Sequence, residues 1–397
     1  MDKPMTLPPL SDAPLIPAKV RARRKVLHAL KQASIVLAVI ALVIWFGLSV
    51  RAGLARNGIA FDMGFLKQVA GFDISEGFVF TSEGLRSFQS TDSNASALLA
   101  GFSNTLTVAA LAIVLSTVLG VFLGMGRVAH NWLVRQLSFG IVELLRNTPM
   151  LIQLVFWYFA VVLRMPGIED AARWYGGAIF SKQGVFLPGL SLTPTAAPAA
   201  VWVLIACVVL VVAACATKRY RRALLGGSLV MLVASVAIGF PLAATAPEVK
   251  GFIVEGGIST SPEFVALLLG LTVYTAAFIA EIVRGAILAL PRGQWEASAA
   301  LGMSRGRTYR DVVMPQVFRV VLPAFGNQYI SLAKTTSLGI AIGYPDLFNV
   351  YGTVANQSGR SLEGVIVVMA AYLVISWSIS GVVNLLNRRL VARGGVK

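Results

Sequence analysis

Four long stretches without Asp, Glu, Lys or Arg constrain the fold more than any other feature of this sequence. They cover residues 93–126, 183–217, 223–247 and 364–387. A membrane-spanning helix needs about 20 mostly apolar residues. Charged residues make up only 13% of the chain, against about 25% in soluble domains. The sequence therefore predicts an all-α integral membrane protein surrounded by a lipid bilayer.

The apolar pattern predicts about eight transmembrane helices. Basic residues favour the cytosolic loops of membrane proteins. With the N-terminus inside, the cytosolic segments carry 22 Lys and Arg and the outer segments carry 9. This asymmetry predicts that both termini are cytosolic, and it explains the net charge of +16 without nucleic acid as a partner. The predicted spans are 34–50, 98–126, 138–163, 198–216, 224–244, 262–290, 320–343 and 362–386.

The chain divides into a tail, an anchor and a larger transmembrane domain. Residues 1–33 are rich in proline and then basic, which predicts a disordered cytosolic tail. A secretory signal is the alternative, but the leader is long and no clear small-x-small cleavage site follows. Residues 34–97 then form the first transmembrane helix and a polar periplasmic loop, either a flexible connector or a docking surface. Residues 98–390 form the transmembrane domain, with an inserted lipid-facing pair at about 198–244, and 391–397 a cytosolic C-terminal tail.

A short polar segment joins spans 262–290 and 320–343. Pro291 ends the first span because it lacks an N–H group, residues 294–301 favour a helix, and Gly302 can end that helix in the left-handed conformation. A helix this short is not stable alone, which favours docking against the surface of another protein. The alternative is an ordinary connection between two spans. A second helix over 304–314 is predicted to begin at Ser304 and to end before Pro315. The docking candidates are Gly293, Glu296, Ala297, Ala300, Leu301 and Gly302.

Three basic residues lie inside predicted spans, where ionisable groups are costly and often functional. Arg146 and Arg284 follow Glu143 and Glu281 by three residues, which places each pair on one helix face. Each arginine is either a snorkelling residue neutralised by its neighbour or part of a gate or interface. Pro149 is expected to kink the span just after Arg146.

The third basic residue, Lys334, lies among amide and hydroxyl side chains that predict a wet cavity. There it either holds a substrate carboxylate or pairs with a carboxylate elsewhere in the protein. Asn104 and Thr105, in an earlier span, either line the same path or bond across helices. The substrate-pathway candidates are Asn104, Thr105, Asn327, Gln328, Lys334, Thr335 and Ser337.

Catalytic signatures are missing from the sequence. No G-x-x-x-x-G-K-[ST] motif is present to hold ATP, and no nucleophile with a neighbouring base is visible. The two histidines have no ligand-like spacing, and Cys207 and Cys215 are interpreted as packing residues in one apolar span. The chain is therefore predicted to bind no cofactor or metal and to carry no catalytic site. A transporter driven by an ion gradient is the main alternative; the paired broken helices expected of one are not visible.

The loop around Glu296 resembles the EAA loop of ABC-importer permeases. The wider chain, over about 98–150 and 264–390, is similar to the polar amino-acid permeases of the histidine and glutamine type. Three positions depart from that family's pattern: Ser298 replaces an alanine, Asn147 a glycine and Thr335 an aspartate. The matching motifs are Glu281–Gly285, Pro291–Gln294, Glu296–Ala297, Ala300–Gly302 and Pro315–Gln316.

The resemblance implies an ABC type I importer permease core with a cytosolic coupling helix. It implies a bacterial inner-membrane complex with a related permease subunit, an ABC ATPase dimer that binds ATP and Mg, and a periplasmic amino-acid-binding protein. The expected substrates are polar or general L-amino acids. The enlarged chain and the segment Ala70–Ile74 are most similar to the general L-amino-acid permeases of the Aap and Bzt type.

Overall fold

The computed structural model of this protein is mostly helical, which confirms the predicted fold class. It describes residues 18–56, 61–81, 84–171, 173–174, 177–192, 198–216, 220–239, 242–251 and 253–392. The helices of these residues are α1 Ala18–Arg56, α2 Asn94–Arg127, α3 Trp132–Asn147, α4 Met150–Val155, α5 Pro198–Ala216, α6 Arg221–Gly239, α7 Pro262–Leu288, α8 Arg292–Ala300, α9 Arg305–Arg307, α10 Met314–Thr335, α11 Leu347–Ser358 and α12 Ser361–Ala392. Short 3₁₀ segments occupy Gly64–Lys67, Val162–Arg164, Ile168–Asp170 and Thr336–Ile342, and π-helical turns occupy Phe156–Val161 and Thr308–Val313.

Short antiparallel strands in the connecting segments are the exception to the all-α prediction. Each has three or four residues, too few to show in a search for long apolar segments. The strands are β1 Phe78–Thr81, β2 Gly84–Ser87, β3 Ile179–Ser181, β4 Gly184–Leu187, β5 Gly189–Leu192, β6 Leu242–Thr245, β7 Glu248–Lys250, β8 Ile253–Glu255 and β9 Ile258–Thr260. Strands β1–β2 and β7–β8 form hairpins, β5 pairs with β6 on the other side of the α5–α6 segment, and β4 lies between β3 and β9.

The predicted number of eight spans is not confirmed. Within the described ranges, α1, α2, α6, α7 and α12 are long and apolar enough to cross a membrane. Residues Trp132–Asn147 and Met150–Arg164 count as a sixth span if their bend of 106° lies within one crossing, and the bend falls at Pro149 as predicted. The apolar part of α5, Trp202–Val211, is shorter. Helix α10 carries Arg, Lys, Asn and Gln side chains along its length, which lower its hydropathy.

Helix α1 belongs to a separate compact unit, Met1–Met63. It begins at Ala18, so residues 18–33 are helical rather than a disordered tail. The reason is local: residues 18–33 contain no Pro or Gly and are rich in Ala, Arg, Lys and Leu, which favour helix. Residues 1–17 of that tail, and 393–397 of the C-terminal tail, lie outside the described part of the chain. From Leu30 to Gly53 the helix is apolar and unburied, as expected for a helix in lipid.

Helices α2 and α7 form the centre of the second unit, Gly64–Lys397. Four small residues of α2, Ala112, Ser116, Gly120 and Gly124, recur every fourth position and are buried. A Cβ atom on Gly124 would lie 2.7 Å from the carbonyl oxygen of Ala280 on α7. Small residues allow this close backbone approach, which drives helix association in membranes. Helices α3 and α10 pack against both members of this pair, and α12 packs against α10 and α11.

Helices α5 and α6 correspond to the predicted inserted pair. They pack against each other, and the Cys207 thiol donates a hydrogen bond to the carbonyl of Ser228 at 3.1 Å. Cys207 is buried, in accord with a packing role; the side chain of Cys215 lies outside the described atoms. Large apolar side chains of the pair face outward, among them Val208, Val209, Leu229, Val230 and Val233.

Candidate functional site

Helix α8, Arg292–Ala300, forms where the sequence predicts the short docking helix. Pro291 precedes it, and Gly302 ends it in the left-handed conformation at φ +68°. The Gly302 N–H donates to the Ala299 carbonyl at 2.9 Å, and the Met303 N–H donates to the Ser298 carbonyl at 3.1 Å. This pair of bonds is a Schellman motif, which satisfies carbonyls left free at the helix end. The end of α8 is therefore fixed by Gly302.

One face of α8 packs against other residues of this chain, and the opposite face is exposed. On the packed face, the Trp295 and Tyr309 rings meet edge to face at 5.2 Å, and Ser298 is buried. The predicted docking residues lie on the other face and are exposed. Leu301 is 80% exposed, although large apolar side chains usually find a partner surface. The exposed face thus consists mostly of small, uncharged residues, and Glu296 is its one carboxylate.

The segment after α8 differs from the prediction of a separate helix over 304–314. Ser304 precedes α9 but makes no side-chain capping bond. The chain continues through the π-helical turn Thr308–Val313 into α10 without a stop at Pro315. Pro315 is the second residue after the π-helical turn, where the regular i→i−4 hydrogen bonds are already interrupted, so its missing N–H group is tolerated. The helical path from α9 to α10 is therefore continuous.

A cluster of five charged side chains joins α2, α3 and α7. The two predicted pairs are present: Arg284 to Glu281 at 2.5 Å, and Arg146 to Glu143 at 3.9 Å. Arg127, the last residue of α2, bridges both carboxylates, at 2.7 Å from Glu281 and 3.4 Å from Glu143. Sequence reasoning missed Arg127 because it was assigned to a cytosolic loop; its position at the very end of an apolar span was the available signal.

Asn104 and Thr105 lie in a buried junction at the opposite end of α2. The Asn104 amide donates to the carbonyls of Glu76 and Pro345, both at 2.9 Å. The Thr105 hydroxyl accepts a bond from the Leu347 N–H at 3.1 Å. Both residues thus bond across the fold, which is one of the two roles that the sequence left open.

The polar residues of α10 share an exposed region near its C-terminal end. Asn327 and Lys334 are exposed, and Gln328, Thr335 and Ser337 are half-buried. The Thr335 and Ser337 hydroxyls donate to the carbonyls of Ser331 and Lys334. No carboxylate of the described residues lies within ion-pair distance of Lys334. Lys334 is the penultimate residue of α10, and the 3₁₀ segment Thr336–Ile342 continues the helical path beyond it.

From Gly64 onward, the loop between α1 and α2 is part of the second unit. Phe65, Ala70, Val79 and Phe88 form a buried cluster with residues of α2, α11 and α12. Burial raises the pKa of Glu76, although its carboxylate accepts a bond from the Ser261 N–H at 2.5 Å. Hydrogen bonds from Arg86 hold the pKa of Asp92 below its usual value. The described part of this loop after Gly64 is therefore structured.

Comparison with known proteins places this geometry in context. A family described as binding-protein-dependent transport system inner membrane component matches residues 116–393. The chain is 37% identical to the putative amino-acid ABC transporter permease protein YhdX of Escherichia coli, covering 89% of this chain and 92% of that protein. It is 35% identical to the general L-amino acid transport system permease protein AapQ of Rhizobium johnstonii, covering 87% and 88%. It is 31% identical to the glutamate/glutamine/aspartate/asparagine transport system permease protein BztB of Rhodobacter capsulatus, covering 90% and 92%.

Proposed function

Because this chain belongs to the family of binding-protein-dependent transport system inner membrane components, we propose that it imports polar or general L-amino acids as the membrane permease of an ATP-driven ABC importer. The three relatives named above are AapQ, BztB and YhdX, each named as an amino-acid transport permease, and this chain matches between 88% and 92% of their length. The observation that carries the proposal is α8, a short helix with one packed face and one exposed face of small residues. It is the surface that the ATPase subunit contacts.

The proposed complex has four kinds of component. This chain pairs with a related permease subunit, an ABC ATPase dimer binds at α8, and a periplasmic binding protein delivers amino acids to the outer face. ATP and Mg bind to the ATPase, and none of these cofactors binds to this chain. The complex lies in the bacterial inner membrane with both termini of this chain in the cytosol, in agreement with the excess of Lys and Arg in the segments assigned to that side.

Coupling follows the order of elements along the chain. Helix α8 begins four residues after α7 ends, so movement of α8 displaces the inner end of α7. Glu281 and Arg284 lie on this part of α7, and Arg127 of α2 connects Glu281 to Glu143 on α3. ATP-driven closure of the ATPase thus moves this charge cluster, which acts as an inner gate, and the two membrane subunits open outward for substrate.

The substrate pathway follows the polar residues of α10. Lys334 supplies a cation without a carboxylate partner among the described residues, and Asn327, Gln328, Thr335 and Ser337 supply hydrogen-bonding groups beside it. Asn104 and Thr105 hold the outer end of the pathway in shape. Replacing Lys334 with Ala should raise the substrate concentration needed for half-maximal uptake. Unchanged half-saturation and rate would remove Lys334 from the pathway.

The test of α8 is uptake by the complete transporter in vesicles. Glu296→Lys and Gly302→Asp should abolish ATP-dependent amino-acid uptake and release the ATPase from the purified complex, while the chain still inserts in the membrane. Glu248→Lys is a matched control, because Glu248 is an exposed carboxylate on β7, away from α8. Normal uptake by Glu296→Lys would contradict ATPase docking at α8. Uptake by this chain alone, driven by an ion gradient, would contradict the whole proposal.

A further inference from the structure

The charge cluster on α2, α3 and α7 contains one more cation than anion. Its members are three arginines, 127, 146 and 284, and two glutamates, 143 and 281. Arg284 bonds Glu281 through two nitrogens, and Arg127 contacts both glutamates. Arg146 is the least well paired, because its nearest carboxylate oxygen is 3.9 Å away, beyond hydrogen-bonding distance. The unbalanced positive charge therefore resides at Arg146.

Two buried polar atoms at the α3–α4 bend have no hydrogen-bond partner. One is the Nε donor of Arg146 and the other is the Oε1 acceptor of Gln153. The Gln153 amide nitrogen donates to the carbonyl of Leu145, the neighbour of Arg146, and to that of Thr148, so Gln153 belongs to the same bend. Buried polar groups are nearly always paired. An unpaired donor and an unpaired acceptor at one bend match the carboxylate and ammonium of an amino acid.

The surroundings of Arg146 make an uncompensated charge costly. Its guanidinium lies 5.6 Å from the ring centre of Phe278 on α7. Helix α7 is long and apolar enough to cross a membrane, an environment in which ionisable groups are costly. The Arg146 side chain is one-third exposed, so its guanidinium can be reached from outside this chain.

We infer that Arg146 binds the carboxylate of the transported amino acid at the α3–α4 bend. The planar guanidinium matches a carboxylate through two parallel hydrogen bonds, and the added anion balances the cluster. Gln153 Oε1 accepts a hydrogen bond from the ammonium group of the same molecule. The inference rests on the proposed function, since it requires an amino acid as the substrate.

The experiment measures equilibrium binding to the purified complete transporter without the periplasmic protein. The probe is whichever of the twenty L-amino acids most raises the unfolding temperature of the complex. If none binds, the inference fails together with the proposed pathway. If one binds, its affinity is compared with that of its α-carboxamide, which keeps the ammonium and loses the charge that Arg146 recognises.

Arg146→Gln should weaken binding of the amino acid by about tenfold and should remove most of the preference for acid over amide. Arg146→Lys should retain part of that preference. Arg135→Gln, the same change on an exposed residue of α3, is the control and should bind as the parent does. An unchanged acid preference in Arg146→Gln would overturn the inference and leave the proposed function standing. The inference would also be overturned if Arg146→Gln lost the partner permease from the complex but kept the preference for acid over amide. That result would mean that Arg146 pairs with the partner subunit.

Discussion

The two ends of α2 are attached to the rest of the protein by different chemistry. At the N-terminal end, which the proposed orientation makes the outer end, Asn104 and Thr105 are buried and form hydrogen bonds with backbone groups near α11. At the C-terminal end, the inner end in that orientation, Arg127 reaches two carboxylates on two other helices. The side chains of Glu143 and Glu281 are 36% and 26% exposed and have further partners, so the inner contacts can be exchanged. The hydrogen bonds of Asn104 and Thr105, by contrast, are made to backbone groups and cannot be exchanged for other partners in this way.

This difference indicates where the molecule can move. Buried amide-to-carbonyl bonds are lost at full cost when helices separate. Ion pairs between long side chains can change partners while the charges stay close together. The outer end of α2 is therefore suited to remain fixed, and the inner end, nearest to α8, is suited to rearrange during transport.

The largest loss of stability is expected for a substitution where the backbones of α2 and α7 are in close contact. Gly124→Leu places a side chain where a Cβ alone would lie 2.7 Å from the Ala280 carbonyl, so the helices must separate. Overpacking of this kind costs about 3 kcal/mol, and we expect little folded protein by size-exclusion chromatography in detergent. Gly140→Leu is the matched control, since a Cβ there meets nothing within 4 Å. Equal yields of the two variants would show that the close approach of α2 and α7 is not required.

The outer junction should respond as a rigid support. Asn104→Leu leaves the carbonyls of Glu76 and Pro345 without their shared donor, and we expect a loss of about 2 kcal/mol in stability. Asn384→Leu, at an exposed position of α12, should change stability little. The measurement is the unfolding temperature in detergent. A destabilised variant that still transports normally per folded molecule would support a structural role for Asn104, and a change in substrate preference would instead place it in the pathway.

The inner cluster should respond to charge balance rather than to the number of bonds lost. Arg127→Gln leaves two arginines and two glutamates, whereas Glu281→Gln leaves three arginines with one glutamate. We therefore expect Arg127→Gln to cost about 1 kcal/mol in stability and Glu281→Gln to cost more, by thermal unfolding of the purified complex. The same stability loss in both variants would mean that the excess charge is compensated by a group outside this chain.

The sequence predicted the parts of the molecule whose cause is local. Pro291 and Gly302 delimit α8 because each acts on its own backbone, and the pairs at Glu143 and Glu281 follow from helical spacing. Arg127 was missed because its partners are 16 and 154 residues away in the chain. The chain continues as helix through Pro315 because the π-helical turn before it already interrupts the regular hydrogen bonds, so the residue type alone did not decide between a stop and a continuation. The strands near Val185 and Thr260 depend on pairing between distant segments.

The smallest effect is a pH dependence confined to the outer end. Because burial raises the pKa of Glu76 in the folded protein above its ordinary value of 4.5, the folded state holds the proton more tightly than the unfolded state. Stability from this group is therefore fully present below pH 4.5 and is lost as pH rises through the folded pKa. Glu76→Gln should remove this decline, which is measured as unfolding temperature against pH. Asp92→Asn should act in the opposite sense, because the pKa of Asp92 is lowered by Arg86 and its contribution is lost as pH falls. Parallel curves for Glu76→Gln and the parent protein would show that the Glu76 carboxylate is as well solvated in the folded state as in the unfolded chain.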